Sequence, residues 1–102
     1  MARTVDGPEV HVALCLVSLH LPAVGSLKEK RMVLRSLKDR LLGKFNISVA
    51  EIGMNDKWQA GEIGIATVGN EGRYVQSVLE DVRRFIQSNP AVRIIESDLE
   101  II

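Results

Sequence analysis

The chain has 102 residues, 46% apolar and 25% charged, enough for one hydrophobic core and too short for two. Thirteen basic residues balance thirteen acidic ones, so the whole protein has no charge argument for a polyanionic partner, and only a local imbalance can supply one. Four aromatic residues are too few for a platform that stacks several bases, and a single cysteine, Cys15, excludes an internal disulfide.

In chain order, residues 1–9 (MARTVDGPE) have no apolar period and carry Gly7 and Pro8, which reads as a flexible leader before a single domain over 10–102. Val10 to Leu21 (VHVALCLVSLHL) is apolar at nearly every position and rich in β-branched residues, the pattern of a strand central in a sheet. Its apolar core is far too short to span a bilayer, so no membrane partner is expected. Ser26 and Glu29 have capping-box spacing, and Leu27, Leu34, Leu37 and Leu41 share one face of the helix that follows, with Gly43 placed to end it. FNISVAEIG (45–53) and AGEIGIATVG (60–69) read as two strands joined by the polar stretch MNDKWQ. A second helix shows an apolar stripe at Tyr74, Val75, Val78, Leu79, Val82, Phe85 and Ile86. Asn70 is its expected N-cap, and Asn89 and Pro90 stop it. A last strand starts at Val92, and DLEII extends it.

The order β-α-β-β-α-β predicts an α+β, ferredoxin-like two-layer sandwich, a four-stranded antiparallel sheet with two helices on one face. The first long strand then lies between the third and fourth, with the second at an edge. That topology gathers the end of the first strand, the start of the first helix and the central loop, placing His20, Glu51, Asp56, Trp58 and Glu62 near one another.

Two groups of residues there carry chemistry. Between Lys28 and Lys44, seven basic residues face one Glu and one Asp. Lys28, Arg31, Arg35 and Lys38 fall on one flank, and with Lys30 they make the candidate anion- or RNA-binding set. The competing expectation is a solvated flank on which Arg35 pairs with Asp39. In the second group, symmetric hairpin pairing sets Glu51 opposite Glu62, with His20 or a Lys between them, and Trp58 either closes the sheet end or anchors a partner. This is the candidate small-ligand or enzymatic pocket. No metal or other cofactor is expected, since one His and two Glu lack ligand spacing and neither a CxxC pair nor a phosphate-cradling Gly loop is present. The apolar second face of the central strand favours burial against a second copy, hence a homodimer or a dimeric protein–protein adaptor.

The pieces SLKEKR with RSLKDRL, FNISVAEIG, NDKWQ with GEIGIA, and VLEDVRRFIQSNP, in this order, resemble the YlxP-like bacterial family, a domain of unknown function. The resemblance spans about Val10 to Glu96 and implies a ferredoxin-like cytoplasmic protein. It also implies genes placed in many bacteria near those for transcription elongation, translation initiation and ribosome maturation factors. RNA or the ribosome is therefore an expected partner, and no catalytic residue comes with the resemblance. The family motifs fall on Ser26, Leu27, Lys28, Glu29, Lys30 and Arg31, and on Glu51, Asp56, Trp58, Gln59 and Glu62. Gly61 departs from them, a bulkier residue being expected there.

Overall fold

A computed structural model describes residues 2–4 and 9–102. Along the chain run β1 (Ala2–Thr4), β2 (Glu9–His20), α1 (Leu27–Lys44), β3 (Ser48–Gly53), β4 (Ala60–Gly69), α2 (Gly72–Gln87) and β5 (Arg93–Ile101). All pairings are antiparallel. β2 lies between β4 and β5, and β3 is an edge strand on β4, the expected ferredoxin-like order. The segment read as a leader contributes β1, which pairs with residues 9–11 of β2, and residues 1 and 5–8 lie outside the described residues.

Strand periodicity places the core. In β2, Ala13, Cys15, Val17 and Leu19 are buried on the helix side, and in β4 Ile63, Ile65 and Thr67 do the same. α2 answers with Val75, Leu79, Val82 and Ile86 at spacings of four, three and four, all fully buried. Phe45 meets Phe85 edge-to-face, with ring centroids 5.9 Å apart, and ties the end of α1 to α2.

At the start of α1 the Ser26 hydroxyl accepts from Glu29 N–H at 3.1 Å, and the Glu29 carboxylate accepts from Gly25 N–H, so the capping box forms with its acid reaching one residue further back. Gly43 does not end the helix, which continues through Lys44 with Phe45 at the C-cap. Asn70 does not cap α2. Glu71 holds that position in extended backbone without a side-chain cap bond. Asn89 serves the other end, its side-chain oxygen accepting from Ala91 N–H at 2.9 Å in the turn into β5.

Two irregularities re-aim side chains. Between β3 and β4, Glu51 pairs with Ile63 but Gly53 pairs with Glu62, so Ile52 is an extra residue. Between β2 and β5 the register slips at Ser18/Leu19, and Ile95 is left 67% exposed.

Candidate functional site

The β3–β4 register dissolves the expected carboxylate pair. Glu51 shares the helix-facing side of the sheet with its partner Ile63, whereas Glu62 pairs with Ser18 and lies with His20 on the opposite face. His20 donates through Nδ1 to the Gln59 carbonyl at 3.0 Å and lines a shallow depression with Asp56, Trp58 and Gln59. Trp58 is 54% exposed there, so it does not close the sheet end. The five expected pocket residues therefore divide. His20, Asp56 and Trp58 gather, Glu62 stands on the open face, and Glu51 turns to the helices. Among the described residues no three His, Cys, Asp or Glu side chains group as metal ligands.

Lys30 corrects the expected basic set. Counting back from Leu41, Leu37 and Leu34 by the helical repeat reaches residue 30, so Lys30 occupies the core-facing stripe of α1 and is only 2% exposed. Its stem packs inward and its ammonium donates to the Met54 carbonyl at 2.5 Å and the Lys57 carbonyl at 2.8 Å, with Glu51 Oε1 at 3.8 Å. Its donors are thereby turned onto the β3–β4 loop, and it presents nothing to an external phosphate. Met54, whose carbonyl it holds, is in the left-handed region at φ 58°.

Gln59, at the far end of the same loop, completes the latch. Its amide donates to the Val24 carbonyl at 3.0 Å, and its own carbonyl accepts from Leu21 N–H at 2.9 Å. Half of SLKEKR and the glutamine of NDKWQ thus build the junction of the β2–α1 and β3–β4 loops. The signal for Lys30 was available as a charged residue on an apolar repeat; no periodicity marks Gln59.

The remaining basic residues do come together. Lys28, Arg31, Arg35 and Lys38 are exposed, and the last three rim a groove of about 440 Å³ between α1 and edge strand β3. Its floor is Leu34, Leu37, Leu41, Val49 and Ile63; Glu51 and Asp39 also line it. It adjoins a smaller pocket that shares Arg31 and Glu51 and reaches Asn55. Ion pairs among the described residues join His11 to Glu9, Lys30 to Glu51 and Arg84 to Asp81. The expected Arg35–Asp39 pair is not formed, and among the described residues the four flank cations have no carboxylate partner. Asp98, Glu96 and Glu100 are carried on β5, across the sheet from the groove.

Residues 12–99 match the family model described as "Protein of unknown function (DUF503)". The chain belongs to this family. It is similar to the "Uncharacterized protein YlxP" of Bacillus subtilis (strain 168), 44% identical over 68 residues that cover 67% of this chain and 74% of that protein. DUF503 membership agrees with the YlxP-like resemblance read from the motifs and brings no assigned activity. No helix of this DUF503 chain, among the described residues, is long and apolar enough to cross a membrane.

Proposed function

We propose that this protein is a cytoplasmic binding protein, not an enzyme, and that it holds structured RNA, ribosomal RNA in the first instance, along the basic flank of α1. The supporting observation is that Lys28, Arg31, Arg35 and Lys38 stand exposed on one flank without carboxylate partners among the described residues. They span about 15 Å of helix at 1.5 Å per residue. The chain is neutral overall, while between Lys28 and Lys44 seven basic residues stand against Glu29 and Asp39, and the acidic residues of β5 lie across the sheet. Four phosphate contacts give a log–log salt slope of about −3 to −4, between the single-strand and duplex values. Binding to ribosomal RNA across a salt series should show that slope, and Arg35→Glu should flatten it by about one. Affinity indifferent to salt, or to reversal of Lys28, Arg31 and Arg35 together, refutes the reading.

A second reading concerns the sheet face away from the helices. Leu16, Ile52 and Val68 are 42%, 49% and 57% exposed there beside Ala50, Gly64 and Ala66, an apolar patch that a second copy would cover as a homodimer. Light scattering at micromolar concentration should give twice the chain mass, and Leu16→Glu should halve it. A monomeric wild type removes this reading and leaves the RNA reading untouched.

A further inference from the structure

Past Lys28, the exposed crest of α1 carries no cation. Met32, Ser36 and Asp39 follow one another along it, and Met32 is 64% exposed. Arg31, Arg35 and Lys38 instead rim the groove beside β3. A rigid duplex laid on α1 would rest on the crest and meet Asp39, whereas a flexible strand can follow the rim. The groove offers two further features that a duplex has no use for. Its floor is apolar, and one wall is an edge strand that among the described residues pairs only with β4, which leaves outward N–H and C=O groups of β3 without a strand partner there. Flat apolar contact for a ring and free peptide groups for its hydrogen-bonding edge are what an unpaired nucleobase requires. The bases of A-form RNA are stacked and their deep groove is closed to side chains.

Resting on the RNA reading above, we propose that the α1/β3 groove selects single-stranded or bulged RNA. An unstacked base enters the groove while Arg31, Arg35 and Lys38 hold the flanking phosphates. At about 440 Å³ the groove is roomy enough for one base and the sugar beside it.

The test compares a ten-nucleotide single-stranded RNA, the same strand in a duplex, and inorganic polyphosphate as a baseless polyanion, at fixed salt. The probes are applied to the wild type and to two variants of Asp39. Asp39→Asn and Asp39→Phe remove the same charge from a position that lines the groove, but only the Phe adds bulk to fill it. The wild type should bind the single strand more tightly than the duplex. Asp39→Asn should keep that preference, and Asp39→Phe should lose it while binding polyphosphate as Asp39→Asn does. Equal single-strand binding by the two variants, or a wild type that prefers duplex, overturns this proposal and leaves the RNA reading standing. Displacement of the single strand by polyglutamate at matched charge also overturns it, in favour of an acidic polypeptide on β3. If neither RNA form binds, both readings fall together.

Discussion

Replacing Lys30 by Met removes the ammonium while keeping an unbranched apolar stem in the core. Two charge-assisted hydrogen bonds are lost, to the Met54 and Lys57 carbonyls, each worth about 1.5–3 kcal/mol. Both carbonyls belong to exposed loop residues that water can reach once the loop loosens, and the cost of desolvating the ammonium disappears with it. The expected net loss is about 2 kcal/mol, or a fall in Tm of roughly 8–16 °C for a chain of this size. Thermal unfolding measures the loss. Amide exchange locates it, because Lys57 N–H, bonded to the Met54 carbonyl at 3.1 Å, and Leu21 N–H, bonded to the Gln59 carbonyl, should exchange faster while β2 and α2 keep their protection. The salt slope of RNA binding should stay at its wild-type value in Lys30→Met, in contrast to Arg35→Glu. A variant as stable as wild type within about 0.5 kcal/mol, or one that flattens the salt slope, refutes the assignment of Lys30 as a loop latch.

Two further outcomes follow from the core. A Cβ added at Gly61 meets Leu34 at 3.5 Å, the Lys30 stem at 3.7 Å and Leu21 at 3.9 Å, all ordinary contacts. Gly61→Ala should therefore raise stability by about 0.4–1 kcal/mol through the lower entropy of the unfolded chain, measured as a shift of the urea midpoint at constant m. Burial pushes the Cys15 thiol upward, opposed by Arg83 and reinforced by Asp98. The native state thus holds its thiol proton at a pH where the unfolded chain has released it. The sign follows: this contribution is complete below the unfolded thiol's ordinary range and is lost as pH rises through the folded value. Cys15→Ala should flatten the alkaline limb of the stability–pH curve, and native Cys15 should react with a thiol reagent only at the rate of unfolding; fast alkylation of native protein would contradict its burial.

The fold was legible because its elements agree with one another. The doubly apolar β2 could sit only between two strands, and the Val75–Leu79–Val82–Ile86 stripe could serve only as a helix face against it. The site was legible in charge and misread in detail. Arg31, Arg35 and Lys38 reached the same groove because spacings of four and three keep a helix flank together. Lys30 was grouped with them by charge, although the leucine repeat placed it in the core. Glu51 and Glu62 were paired by assuming a symmetric hairpin, whereas the register sets Glu51 opposite Ile63 and so on the other face from Glu62, and a one-residue bulge at Ile52 then brings Gly53 opposite Glu62. Nothing local to EIGMN announces that bulge. Its partner Gly53 packs against the Glu62 side chain, a contact that exists only after the strands have met. Gln59 escaped for the same reason, since its hydrogen bonds run to Val24 and Leu21, far from it in sequence.

These misreadings share a physical basis that bears on the function. In SLKEKR, Ser26 and Glu29 are committed to the helix start and Lys30 to the loop, leaving Lys28 and Arg31 for any partner. The loop that Lys30 grips adjoins the groove through Glu51 and Asn55, so the same ammonium that stabilises the loop also fixes one end of the basic rim. Glu51 is the hinge of this arrangement. It stands 3.8 Å from Lys30 and lines the groove beside Arg31, a carboxylate held inside a basic site by an internal cation. Glu51→Gln should cost less stability than Lys30→Met, because the ammonium keeps both carbonyls, and it should tighten RNA binding by removing the one carboxylate that both pockets share. Weaker RNA binding in Glu51→Gln than in wild type at equal salt would show that the groove does not meet phosphate, and would turn attention to the open sheet face.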